Sequence, residues 1–111
     1  MEVTARGKNM HISPRKVRLL LNTLRGRRVD EAVAILRSVN IPVARKVEKI
    51  VKSAAANAEN NYQMSVNELR IKSAVADEGT RLRRFRAGPR GRSKPWQRRF
   101  SHITIIVEDK E

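Results

Sequence analysis

Apolar residues recur along the chain at two spacings, and the spacings predict its elements. Val17, Leu20, Leu21 and Leu24 fall at helical spacing. Ser13-Pro14 stands just ahead of them, a serine able to cap free N–H groups and a proline suited to a first helical turn. Gly26 follows as an expected C-terminal cap. The opposite face of this first helix carries Arg15, Lys16, Arg18 and Arg25. Asp30 is expected to cap a second, shorter helix that runs to about Val39, with Val33 and Leu36 facing inward. Asn40 and Pro42 open a third helix that continues to about Asn60. Its stripe is Val43, Val47, Ile50, Val51, Ala54 and Ala58, and small residues from Ser53 to Ala56 suit close packing. Glu48 and Lys52 form a supporting pair one turn apart.

The other spacing is alternation. Residues 3–12 read as a strand with Val3 and Ala5 on one phase and Met10 and Ile12 on the other. Gly7 lies between the phases and marks a bulge. Residues 61–67 are polar and loop-like. Leu69, Ile71, Ser73 and Val75 then alternate with Arg70, Lys72, Ala74 and Ala76, as in a strand. A last strand runs from His102 to Glu108, with Ile103, Ile105 and Val107 inward.

Residues 79–101 fit neither spacing, and here charge changes the picture. The chain has 111 residues, 25 Lys and Arg against 11 Asp and Glu, and a formal net charge of +14. Nine of the basic residues and none of the acids fall in this segment, which leaves the other 88 residues at only +5. A long connection in a small fold is functional or disordered. Gly88, Pro89 and Gly91 supply turn chemistry near its middle, so it reads as a hairpin continuing past the sheet. Each arm reaches on the order of 35 Å at about 3.3 Å per residue. Such an arm cannot bury itself. It is expected to be mobile in the free chain and to order against a polyanion.

The arm cations are Arg81, Arg83, Arg84, Arg86, Arg90, Arg92, Lys94, Arg98 and Arg99. Eight of these nine are arginine, whose planar fork matches phosphate oxygens and stacks on bases. Leu82, Phe85, Trp96 and Phe100 are interleaved with them. The basic face of the first helix, with Ser13 at its start, and Arg6, Lys8 and His11 on the first strand are further candidate RNA contacts. A charged outer helix face and a charged edge strand are also what any surface element shows. Aromatics make up 4% of the chain, too few for a base-stacking sheet, so recognition through phosphates and shape is expected.

Alternatives remain at the tip. Gly88-Pro89-Arg90-Gly91 has the form of a KH-domain loop, but that loop joins two helices. Pro89-Arg90-Gly91-Arg92 resembles an AT-hook, which makes a DNA-binding module with a hook-like basic arm the main competing function. A protein drawn to anionic lipid would want bulky interfacial residues on an amphipathic helix. No stretch approaches a membrane span and no secretory signal is expected, so no membrane partner is expected. With no cysteine, there is no disulfide, cysteine-ligated zinc or thiol chemistry. His11 and His102, the two histidines, lack metal-ligand spacing. Asp77-Glu78-Gly79 reads as a strand end whose carboxylates order Arg81 or Arg83. No catalytic residue, metal or cofactor is expected, and the chain is not expected to be an enzyme.

Taken in order, Ile12-Ser13-Pro14-Arg15-Lys16-Val17-Arg18-Leu19, Leu24-Arg25-Gly26, Lys52 to Asn60, Asp77-Glu78-Gly79, Gly91-Arg92 and Ser101-His102-Ile103-Thr104-Ile105 resemble one family over nearly the whole chain. It is the universal large-subunit ribosomal protein family number twenty-two, in its bacterial-type form. The resemblance implies an α+β fold: a three-stranded antiparallel sheet packed on three helices, with a long basic β-hairpin arm. It implies one ribosomal protein domain over 1–111, with 79–101 as the arm. It implies a cytoplasmic structural constituent of the large ribosomal subunit, with organellar placement also open. Its partners would be large-subunit ribosomal RNA, neighbouring ribosomal proteins and the nascent polypeptide, with no homo-oligomer. The inner stretch of the arm would line the exit tunnel through Leu82, Arg83, Arg84, Arg86 and the tip residues Gly88, Pro89, Arg90, Gly91 and Arg92. The tip departs from the family's usual Pro-Arg-Ala turn, reading Ala87-Gly88-Pro89-Arg90-Gly91-Arg92.

Overall fold

The computed structural model describes residues 2–109, and the side chains of all of these except 80, 84, 86 and 93–98. Three strands form one antiparallel sheet in the order β1-β3-β2, where β1 is Glu2–Met10, β2 is Leu69–Ala87 and β3 is Ser93–Asp109. Three helices, α1 (Pro14–Asn22), α2 (Val29–Ser38) and α3 (Pro42–Tyr62), follow β1. The α+β architecture is the expected one. α1 lies on β2, α3 on β1 and β3, and α2 on α3. One sheet face therefore supplies Val3, Ala5, Leu69, Ile71, Ile103, Ile105 and Val107 to the core, opposite Val17, Leu21, Leu36, Val47 and Val51 of the helices.

The helix boundaries differ from the sequence expectation in all three helices: α3 opens at Pro42 with Ile41, not Asn40, at its cap position and runs on to Tyr62. Asp30 does not cap α2: Arg28 holds that position, and Asp30 and Glu31 sit in the first turn, where carboxylates favour the positive end of the helix dipole. Gly26 does not end α1, which stops at Asn22 with Thr23 as its cap. Gly26 (φ 78°) instead turns the chain after Leu24 so that its N–H donates to Ile71 O at 2.8 Å.

The strands carry three register shifts. The first lies between Gly7 and Met10, with Asn9 at φ 54°, and explains why Val3/Ala5 and Met10 belong to opposite phases. Gly7 itself pairs normally with Ile103, but a Cβ there would lie 2.6 Å from Ile50 Cδ1, so α3 packs where only hydrogen stands. The second shift, between Ile71 and Ser73, overturns the uniform alternation expected of β2. One extra residue flips the Cβ direction, so Ala74 and Ala76 enter the core and Val75 is 38% exposed.

β2 is an edge strand, and α1 with the turn after it protects that edge. Ile71 exchanges backbone bonds with the 26–27 turn, its N–H donating to Arg27 O at 2.9 Å. Arg25 donates from Nε and Nη2 to Ala74 O at 3.0 and 2.8 Å, and Arg18 likewise to Ala76 O at 3.1 and 2.8 Å.

Among the described residues, two polar side chains are buried. Glu48 on α3, 8% exposed, accepts from Arg37 Nε of α2 at 2.7 Å and faces Lys52 Nζ at 3.6 Å. The Arg37 hydrogen bond holds its pKa below the ordinary glutamate value, against the burial that pushes it up, with Lys52 lowering it further. A depressed carboxylate contributes stability above its unfolded pKa and loses it as pH falls through the folded one. Acid titration should therefore destabilise the fold from about pH 4.3 downward, and Glu48→Gln should flatten that part of the profile. Chemical denaturation at pH 3–6 checks this, and an unchanged slope contradicts it. Ser101 on β3 is fully buried, and its hydroxyl has no hydrogen-bond partner among the described residues. Ser101→Ala removes an unpaired polar group, so it should raise stability by about 1 kcal/mol. A lowered melting temperature would mean the hydroxyl contributes to the fold.

Candidate nucleic-acid interface

β2 and β3 leave the core as a pair and continue without interruption into the arm. Beyond the third shift, between Glu78 and Arg81, the register runs from Arg81 opposite Arg99 to Ala87 opposite Ser93. Gly79 sits at this root, where a Cβ would meet Phe100 O at 3.1 Å and His102 Nε2 at 3.2 Å. The residue must be small for the two strands to close there. The arm makes the molecule long: its extents are 64 × 25 × 18 Å and its radius of gyration is 17.1 Å. A compact chain of this length would have about 13 Å.

The tip is a single tight turn, Pro89–Gly91, in which Arg90 (φ 59°) and Gly91 (φ 73°) are left-handed. Gly88 N–H donates to Arg92 O at 2.5 Å and closes it. These residues reverse the chain, which does not suit a hook laid along a DNA minor groove.

The arm cations Arg81, Arg83, Arg90, Arg92 and Arg99 are exposed. Arg81 Nη2 donates to Glu78 Oε1 at 2.8 Å, so this carboxylate orders the first of them as expected, but Glu78 lies inside β2 and not at a strand end, because β2 runs on into the arm. Phe85 is 73% exposed on the arm, and Leu82 is half-buried. The side chains of Arg84, Arg86, Lys94 and Arg98 lie outside the described ones.

The remaining candidates divide. Arg15 and Lys16 are exposed on α1 beside Leu19, which is 74% exposed. Ser13 holds the N-cap position of α1 by its backbone and makes no side-chain cap bond. His11 stacks on Phe100 with ring centroids 5.2 Å apart, which brings the end of β1 and the start of α1 to the arm root. Arg18 and Arg25 already hold the β2 edge. Each spends two of five guanidinium N–H donors there and keeps the rest for an outside acceptor.

The sheet face away from the helices brings together residues that alternation alone does not. Arg6, Lys8, Asp77, His102 and Thr104 line a depression of about 400 Å³ there. His102 and Thr104 were visible as the outward phase of β3. Asp77 was not, because the shift at Ile71/Ser73 sets its face. Among the described residues, no group of three or more His, Asp or Glu could hold a metal ion.

The described surface thus presents exposed arginines along the arm, a basic helix face and a clustered arm root. Residues 5–108 match the family model described as ribosomal protein L22p/L17e. The chain belongs to this family. Three bacterial relatives named large ribosomal subunit protein uL22 align along nearly all of it. The Macrococcus caseolyticus protein is 49% identical over 111 residues, covering 100% of this chain and 90% of that protein. The proteins of Staphylococcus haemolyticus and of a Staphylococcus epidermidis strain are each 47% identical over 109 residues, covering 98% of this chain and 93% of theirs. L22p/L17e proteins are structural parts of the ribosome and not enzymes.

Proposed function

We propose that this chain is a structural constituent of the large ribosomal subunit that binds large-subunit ribosomal RNA and stabilises its folding. The observation that carries the reading is the continuity of β2 and β3 from the packed sheet into an arm with nine cations and no acid. The sheet and helices fix the direction in which the arm leaves. The guanidinium groups then neutralise phosphates where RNA segments crowd together, releasing counterions. Phe85, exposed between arginines, gives the arm an apolar surface against bases.

Arg6, Lys8, His11, Ser13, Arg15 and Lys16 extend the RNA surface from the arm root across the globular part, with the spare donors of Arg18 and Arg25. The stretch from Leu82 to Arg92 lines the exit tunnel and meets the nascent polypeptide. The protein acts as a single copy among neighbouring ribosomal proteins in a bacterial-type cytoplasmic subunit. Residues 1–111 form one domain with 79–101 as its arm.

The test is binding of the purified chain to large-subunit ribosomal RNA fragments across a salt series, with A·T-rich duplex DNA as competitor. RNA binding that survives excess DNA supports the reading. Equal competition by DNA at every salt concentration would favour a DNA-binding arm or bare charge attraction.

A further inference from the structure

The open face of the sheet behaves differently at its two ends. At one end the charges close on each other: Lys72 of β2 pairs with Glu2 of β1 across the intervening strand. Toward the arm root they do not. Arg6 and Lys8 on β1 and Asp77 on β2 line one depression of about 400 Å³. All three are exposed, and none of their side chains makes a hydrogen bond or ion pair among the described residues.

The register explains the geometry. Arg6 lies opposite Thr104, and Asp77 lies opposite His102, so β3 separates the cations from the carboxylate. Two strand spacings and an offset of two residues along β3 put Arg6 and Asp77 about 12 Å apart at the backbone. Between them stand the Thr104 hydroxyl and the His102 ring. His102 Nδ1 accepts the Asn9 N–H at 3.1 Å, so the neutral ring carries its proton on Nε2 as a donor. From one side to the other, the slot offers two cations, then a hydroxyl and an N–H, then a carboxylate that can only accept.

We propose that this slot binds one ribose-phosphate unit of an RNA backbone, with Arg6 and Lys8 on the phosphate and the Asp77 carboxylate accepting the ribose 2′-hydroxyl. A bare anion leaves the carboxylate repelled and unused. A deoxyribose offers it no donor, whereas a ribonucleotide satisfies both ends. Thr104 and His102 supply the neutral donors and acceptors between. The slot thus gives the chain a means of telling RNA from DNA that the arm's phosphate contacts lack. The inference rests on the RNA-binding reading and adds to it where discrimination resides.

The experiment measures the full chain and two variants, Asp77→Ala and Arg6→Ala/Lys8→Ala, on a large-subunit ribosomal RNA fragment and on DNA of the same sequence. Thermal melts confirm folding of each variant. Asp77→Ala removes a negative charge, so electrostatics alone would raise affinity for both polymers together and leave their ratio unchanged. The slot predicts that the RNA-to-DNA affinity ratio falls about tenfold, with RNA binding weakened. It predicts that Arg6→Ala/Lys8→Ala flattens the salt slope by about 0.7–0.9 for each phosphate no longer neutralised. A ratio unmoved by Asp77→Ala overturns the slot and leaves the RNA-binding reading standing. A wild-type chain with no preference for the RNA overturns both.

Discussion

Replacing residues 80–99 with a two-residue Asn-Gly turn should leave a folded protein with little remaining affinity for ribosomal RNA. No core residue among the described side chains falls in that segment, and the register shift at Glu78/Arg81 already separates the arm from the packed sheet. An Asn-Gly turn suits a two-residue hairpin. All nine arm cations go. Each phosphate that the arm no longer neutralises flattens the dependence of log affinity on log salt by about 0.7–0.9, so six such phosphates flatten it by about 4–5. Circular dichroism and melting temperature should stay near the parent values, while reconstitution of large subunits with the variant should be impaired. Normal assembly, or an unchanged salt slope, would place the binding in the globular part instead.

The second large effect concerns Arg18 and Arg25, whose guanidinium groups hold the free edge of β2. Arg18→Ala and Arg25→Ala should each cost about 1–2 kcal/mol, since each strips a doubly donated, charge-assisted bond from a strand carbonyl that water partly re-solvates. Together they should lower the melting temperature by several degrees for each kcal/mol of destabilisation, as expected for a domain near this size. Lysine at either place restores the charge but not the fork, so rescue should be partial. RNA affinity should fall as well, through the donors the two side chains have to spare. If both alanine variants melt with the parent, the two arginines serve RNA alone.

How much of this the sequence disclosed differs from element to element, for physical reasons. Helical spacing marked α1, α2 and α3 because each buries one stripe, and Ile103, Ile105 and Val107 marked β3 because one face of it is core. The arm was legible because nine cations without an acid cannot belong to a packed face. What escaped depends on single inserted residues and on partners distant in sequence. The shift between Ile71 and Ser73 moved Ala74 and Ala76 inward and Asp77 onto the open face, and alternation alone carries no sign of it. Arg18 and Arg25 read as outward cations because their carbonyl partners lie 58 and 49 residues away. The Glu48–Lys52 pair followed from helical spacing, but the shorter bond, from Arg37 on α2, needed the packing of two helices. The slot lined by Arg6, His102 and Asp77 needed three strands in register.

The arm's place in the subunit can be measured directly, because the chain has no cysteine. Arg90→Cys puts a unique thiol at the tip and Glu59→Cys puts one on the exposed surface of α3. With an iron chelate tethered at either thiol, large subunits are reconstituted and the hydroxyl-radical cuts in the ribosomal RNA are mapped. The tip probe should cut RNA of the exit-tunnel wall, at sites that the α3 probe does not reach. Tip cuts confined to the surface, or overlapping those of the α3 probe, would contradict that placement.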